Sequence, residues 1–176
     1  MNRGELEQLL EQDHRAGFGW ALSCCAGHRA EAEDVLQLVY LKIVEGKARY
    51  DGQSAFRTWL FAVIRRTAAQ ERRRRALWWV KLRTLRDEAE AEARQPAAPA
   101  SEAAERSQQA ALFRRALAEL PARQREALQL VFYHDLTVEE AAAVMGVSVG
   151  SARTHYARGK QALRGWLRRE RLSDAS

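Results

Sequence analysis

Residues 120–167 read LPARQREALQLVFYHDLTVEEAAAVMGVSVGSARTHYARGKQALRGWL, and this stretch decides the fold. Thr137 precedes Glu140 by three residues, the spacing of a capping box in which hydroxyl and carboxylate each accept from an otherwise orphaned amide at a helix start. The helix that begins there is predicted to end at Met145, because Gly146 takes the left-handed conformation that closes a helix and Ser148 can cap the next. Ala142 falls where two such helices cross and leaves them room to approach. Ala141, Met145, Val147, Ala152 and Tyr156 form the apolar inner face. Helix, short turn and helix make a helix-turn-helix.

The outer face of the second helix carries Ser148, Ser151, Arg153, Thr154, His155 and Arg158, which are short donors or cations. Such a helix fits the major groove of DNA, where arginine forks onto guanine and serine or threonine meets a phosphate or a base edge. A merely solvated face is the plainer explanation of polar residues on a helix. Two caps and a turn glycine at the right offsets weigh against it.

The chain has 176 residues, 47% of them hydrophobic, which is enough for one domain or two small ones. No apolar run is long enough to span a bilayer, and the N-terminus is acidic and polar where a secretory signal is basic and then apolar, so a cytoplasmic protein without membrane insertion is expected. Cys24 and Cys25 are adjacent, a poor geometry for a mutual disulfide, which suits a reducing compartment. His28 follows Cys24 by four residues. Three potential ligands without a second pair make packed thiols the better reading, and no metal or cofactor is expected.

The net charge of +6 is unevenly spread. Counting Lys and Arg against Asp and Glu, residues 1–46 carry −4, 47–86 carry +10, 87–111 carry −4 and 112–176 carry +4. Two basic bodies separated by an acidic tether are the electrostatic outline of a protein that grips a polyanion at two places.

Leu6, Leu9 and Leu10 are expected to open a first helix, and Phe18, Trp20 and Leu22 to continue into a second that Ala26-Gly27 breaks. The next, from about Ala30 to Glu45 with Gly46 as its stop, carries Ala32, Leu36, Val39 or Tyr40, and Ile43 at helical spacing. Glu31, Glu33 and Asp34 favour its positive end. Asp34, Gln37, Leu38, Leu41 and Lys42 lie around a helix already supplied with a core stripe, leaving a mixed surface suited to a partner helix.

Tyr50-Asp51-Gly52-Gln53 reads as a turn with Ser54 as the next cap. The helix that follows places Phe56, Trp59, Leu60, Val63, Ile64 and Thr67 on one side, with Arg57, Arg65, Arg66 and the block Arg72 to Arg75 over much of the rest. Rings interleaved with arginines suit single-stranded nucleic acid, although Phe56 and Trp59 at this spacing are more often core. Four consecutive cations cannot all meet one partner inside the fold, so an external polyanion is expected for the block. Trp78, Leu82 and Leu85 make a further stripe. From Asp87 to about Gln109 the composition turns to Ala, Glu, Gln, Arg and Pro, with Pro96 and Pro99 interrupting any helix: a flexible tether. Leu112, Phe113, Ala116, Leu117 and Leu120 start the second domain, and Pro121 fits the first turn of its next helix. No strand pattern appears, so the fold class is all-α.

EAEDVLQLVYLKI, SAFRTWLFAVIRRTA, the linker and then LPARQREALQLVFYHDLTVEEAAAVMGVSVGSARTHYARGKQAL resemble, in order, conserved regions 2 and 4 of bacterial sigma factors of the extracytoplasmic-function group within the sigma-70 family. The resemblance implies a region 2-like domain over 1–86, a flexible linker over 87–111 and a region 4-like helix-turn-helix domain over 112–176. It implies an alternative sigma factor that binds core RNA polymerase and directs promoter-specific transcription initiation without being an enzyme. Asp34, Gln37, Leu38, Leu41 and Lys42 then become candidates for the polymerase clamp helices, and the second domain for the flap. Tyr50, Gln53, Arg57, Trp59, Arg65, Arg66, Arg72 and Arg73 become candidates for reading and melting the −10 element. Ser148, Ser151, Arg153, Thr154, His155 and Arg158 become candidates for the −35 element, with Arg153, Thr154 and Arg158 at the base-reading positions.

The family's usual holder, an anti-sigma factor, is implied as a further partner, and a monomer is expected when the protein is free. Arg66 stands where the family often has Asn, and Gln70 where it often has Asp, so the −10 preference does not carry over. Ala141 and Ala152 replace larger aliphatics usual in the helix-turn-helix core, which should loosen it. A stand-alone regulator that binds duplex DNA as a dimer without polymerase is the alternative, but no heptad or dimer helix supports it. For a nucleic-acid enzyme, His14, His28, His134 and His155 lie on different segments, without paired carboxylates or a phosphate-cradling glycine loop.

Overall fold

The computed structural model describes residues 2–85 and 112–173. They form helices α1 (Arg3–Cys24), α2 (Arg29–Val44), α3 (Phe56–Leu85), α4 (residues 112–118), α5 (Ala122–Phe132), α6 (Val138–Met145) and α7 (Val149–Ser173), with no strand among the described residues. The fold is all-α, two helical domains joined by a linker. By compactness the chain divides into Met1–Ala98 and Pro99–Ser176. The tether expected over 87–111 and the side chains of Leu82 and Leu85 lie outside the described residues.

In the first unit α1, α2 and α3 pack on one another pairwise. The N-terminal leucines and the Phe18–Leu22 stretch belong to one helix, not two. Asn2 and Glu5 close a reciprocal capping box at its start. Gly17 lies within it, on the face turned to the core, where an added Cβ would stand at ordinary contact distance, 3.4 Å from Ile64 Cδ1. Ala26 (φ +53°) and Gly27 (φ +87°) then turn the chain. Trp20 is 1% exposed, stacks on Phe61 at 5.8 Å, and donates its indole N–H to the Phe61 carbonyl at 3.0 Å. Full burial of such a side chain is worth on the order of 1.5–3 kcal/mol, and the hydrogen bond removes the penalty for its polar end.

On α2 the buried stripe is Ala32, Val35, Leu36, Val39 and Ile43, which resolves the Val39 or Tyr40 choice in favour of Val39. Gly46 takes φ +68° just past the helix. The turn before α3 is set by Gly52 (φ +76°) and by Asp51, whose carboxylate accepts from the Gln53 amide at 3.1 Å. Ser54 does not cap α3. Its hydroxyl donates to the Ala55 carbonyl at 3.4 Å, and the first helical bond runs from the Trp59 amide to Ala55, one residue later than expected.

In the second unit α5, α6 and α7 pack on one another. Ala116, Leu117, Leu120, Leu128 and Leu163 form a buried cluster covered by Phe113, Tyr156, Trp166 and Leu167. Pro121 is the residue just before α5 rather than inside its first turn. The capping box of α6 is present as expected: Thr137 Oγ1 accepts from the Glu140 amide at 3.1 Å, and Glu140 Oε2 accepts from the Thr137 amide at 2.8 Å. Gly146 (φ +65°) ends α6, and Ser148 Oγ accepts from the Ser151 amide at 3.1 Å to start α7. Ala141, Ala142, Met145 and Ala152 are all buried between these helices.

Candidate nucleic-acid and polymerase interfaces

The turn after Gly146 points the polar face of α7 outward. Arg158 is exposed with no ion pair among the described residues, and His155 is half-buried beside it. Thr154 returns its hydroxyl to the Gly150 carbonyl at 3.0 Å, and Ser148 donates to Ser151 Oγ at 2.9 Å, so these short side chains are held in place by their own helix. Arg153 is committed differently from the sequence expectation: its Nη2 donates to Glu139 Oε1 of α6 at 2.7 Å. The Glu139 carboxylate is held below the usual range by a hydrogen bond from its own backbone amide and then by Arg153. Both partners are more than half exposed, so water competes for the pair and it opens at little cost.

In the first unit the structure separates the basic residues into two groups. Arg57 Nε donates to Asp13 Oδ1 at 2.7 Å, and Asp13 is buried, so this arginine braces α3 against α1. Arg74 pairs with Glu71 at 2.6 Å, and Arg75 pairs with Glu31 at 2.5 Å and lies 3.8 Å from Asp34. Half of the arginine block thus meets carboxylates within the fold, contrary to the expectation that the block as a whole faces outward. Arg72 and Arg73 are exposed and make no ion pair among the described residues, as does Arg66 one turn and a half earlier. Arg65 is half-buried and Gln53 is exposed on the turn.

Tyr50, Phe56 and Trp59 form a cluster with ring centroids 5.3–5.4 Å apart. Phe56 is buried, whereas Tyr50 and Trp59 keep partly open edges, and the Tyr50 hydroxyl donates to the Ser54 carbonyl.

On α2, Asp34, Gln37 and Leu41 are exposed and Leu38 is half-buried, a mixed surface as expected. Lys42 is not free to join it: its ammonium donates to Thr67 Oγ1 at 3.1 Å and Gln70 Oε1 at 2.8 Å, tying α2 to α3. Val44, 73% exposed and one turn beyond Leu41, extends the apolar part of the face. Its i+3 spacing from Leu41 was the available signal. Cys24, Cys25 and His28 line a cleft of about 240 Å³ with Glu31 and Arg72. Burial, and next the Glu31 carboxylate, push the Cys25 thiol up. No group of three or more ligating side chains fit to hold a metal lies among the described residues. Likewise none of the described helices is long and apolar enough to cross a membrane.

A helical unit with an exposed arginine pair, followed by a helix-turn-helix with a donor-rich second helix, defines a two-domain all-helical protein of the helix-turn-helix class. The sigma-70 region 2 family matches residues 9–92 and the sigma-70 region 4 family matches residues 110–163. The chain belongs to the sigma-70 family, as a sigma factor of the extracytoplasmic-function group. Among solved structures it is similar to the sigma factor RpoE of Bartonella quintana in complex with the anti-sigma factor NepR, with 25% identity, a TM-score of 0.69, and 93% of this chain and 97% of that one covered. It is also similar in fold to CnrH in complex with the cytosolic domain of CnrY, with 22% identity, a TM-score of 0.62, and 94% and 89% covered. No curated protein matches the sequence.

Proposed function

We propose that the protein binds core RNA polymerase and directs initiation at promoters carrying −35 and −10 elements, acting by binding and without catalysis. The observation that carries this reading is the exposed outer face of α7, with Thr154 and Ser151 held in register, following a first unit with Arg66, Arg72 and Arg73 exposed; none of these three arginines, nor Arg158 on α7, has an ion pair among the described residues. In this reading Arg153, Thr154 and Arg158 contact bases of the −35 element and Ser148, Ser151 and His155 its backbone. Arg153 exchanges Glu139 for DNA.

Residues 1–86 act at the −10 element: Gln53, Arg65, Arg66, Arg72 and Arg73 hold phosphates, and the open edges of Tyr50 and Trp59 receive unstacked bases, which offsets the few kcal/mol of opening a base step. Arg57 serves this surface through Asp13 rather than by touching DNA. Asp34, Gln37, Leu38, Leu41 and Val44 meet the polymerase clamp, with Lys42 fixing the helix that presents them, and residues 112–176 meet the flap. Residues 87–111 link the two. Two feet on one polymerase turn two weak contacts into one strong one, since the second binds at high effective concentration.

An anti-sigma factor is the proposed holder of the protein at rest, by analogy with the RpoE–NepR complex, and the cytoplasm, where polymerase works, its compartment. Transcription in vitro from a promoter library with purified core polymerase tests the reading. Transcripts from promoters sharing two motifs at fixed spacing, with permanganate-reactive thymines near the downstream motif, are expected. Absence of association with core polymerase would overturn it.

A further inference from the structure

α7 runs for 25 residues, about 37 Å at 1.5 Å per residue. The major groove is only about 12 Å wide, so a straight helix inserted by its first turns must leave it and pass over the flanking phosphates. The residues at that far end suit the passage. Arg158 and Arg169 are eleven residues apart, three turns, and therefore share the side of the helix that holds Ser151 and Thr154. Arg164 and Arg168 lie along the adjoining edge.

Together with Gln124 and Gly165 these side chains line a shallow groove of about 890 Å³ that contains no carboxylate. The one acid in this part of α7, Glu170, turns away to Arg115 at 3.8 Å. Lys160 is spent on the Tyr156 ring, 4.4 Å from its centroid. Arg164, Arg168 and Arg169 are exposed and have no ion pair among the described residues. With no counter-charge among the described residues, these three neighbouring guanidiniums repel one another, and an external chain of evenly spaced anions relieves that repulsion. Bidentate geometry makes phosphate their natural partner.

We propose that the C-terminal half of α7 is a phosphate clamp, in which Arg164, Arg168 and Arg169 grip the backbone of duplex DNA flanking the element read by the first turns of the same helix. This rests on the reading of α7 as a duplex-DNA helix and adds to it a contact that is indifferent to base sequence.

The test is a salt titration of the full-length protein on a fluorescent random-sequence duplex of about 30 base pairs, between about 50 and 200 mM KCl, with the variants R164A/R168A/R169A and R164K/R168K/R169K. Each phosphate contact contributes about 0.9 to the slope of log K against log salt. The alanine variant should lower the slope by about 2–3, the lysine variant should keep it, and removal of three exposed cations elsewhere (R15A/K47A/R114A) should change it by less than about 1. On a promoter duplex the alanine variant should lose affinity while keeping the wild-type ratio of promoter to random binding.

An unchanged slope overturns the clamp, as does an altered ratio, which would mean base reading. Loss of core-polymerase binding by the alanine variant would also overturn it, since the groove would then be a protein contact. Promoter-dependent transcription by the wild-type protein is read separately, so the clamp and the broader function fail independently.

Discussion

Gly159 and Gly150 lie in the same helix, yet the same substitution should move stability in opposite directions at the two. A Cβ built on Gly159 falls 3.1 Å from the Gln124 carbonyl oxygen and from Leu128 Cγ and Cδ1, tighter than ordinary contact. The oxygen belongs to the backbone of α5 and cannot swing aside, so α5 must shift by a few tenths of an ångström. Overpacking of this kind costs about 1–3 kcal/mol, while alanine in place of glycine inside a helix returns about 1 kcal/mol. Gly159→Ala should therefore lose about 1 kcal/mol net.

Around Gly150 nothing lies within 4 Å of the added carbon, so Gly150→Ala keeps only the gain, about 0.5–1 kcal/mol. Native-state hydrogen exchange of the α5 and α7 amides in the full-length protein reads both. Protection should fall roughly fivefold in the first variant and rise severalfold in the second, with melting shifts of about 4–8 °C per kcal/mol for a unit of this size. If both variants gain protection alike, α5 and α7 are not packed backbone to backbone and the seam described above is wrong.

Three further expectations follow from the same geometry. Thr137→Ala removes the α6 cap and should cost about 1 kcal/mol, seen as a lower melting temperature; Thr137→Ser should restore most of it, and an unaffected Thr137→Ala variant would mean that the box is not formed in solution. Arg57→Ala leaves the buried Asp13 carboxylate without its partner and should cost about 1–3 kcal/mol by urea unfolding, while Arg66→Ala should cost less than about 0.5 kcal/mol; equal losses would refute the division between bracing and external arginines. Because burial raises the Cys25 pKa, its reactive thiolate is scarcer than in a free cysteine at any pH below the raised value. Mass-spectrometric alkylation at pH 8 should modify Cys25 more slowly than a denatured control and accelerate as pH climbs, and a rate equal to the control would show that the thiol is not buried.

Much of the second unit was legible because its signals are local. Thr137, Glu140, Gly146 and Ser148 act over three or four residues, and each did what its spacing dictates. The helix count in the first unit was misread for the opposite reason. Leu6, Leu9 and Leu10, and then Phe18, Trp20 and Leu22, are two separate apolar groups along the chain, and only the packing of α1 on both α2 and α3 shows them to be one continuous helix. Ser54 offered a cap by type, but the tyrosine hydroxyl of residue 50 draws the chain around its carbonyl and the helix starts later.

The site residues divide along the same line. Exposure of Arg72, Arg73, Gln37 and Arg158 follows from helical position, which a periodic pattern reads well. The commitments of Lys42 to Thr67 and Gln70, of Arg57 to Asp13, and of Arg153 to Glu139 join separate helices, and a long polar side chain carries no mark of which neighbour it will find.

Formal charge and presented charge part company in the first unit. Arg57, Arg74 and Arg75 each face a carboxylate of the same fold, two of them supplied by residues 1–46, so a passing polymer of phosphates senses a stray field much smaller than the twelve cations against two anions of residues 47–86 taken alone would give. Counter-ions gather mainly at the few guanidiniums left open, and the number of salt ions released on contact should track those side chains rather than the isoelectric point.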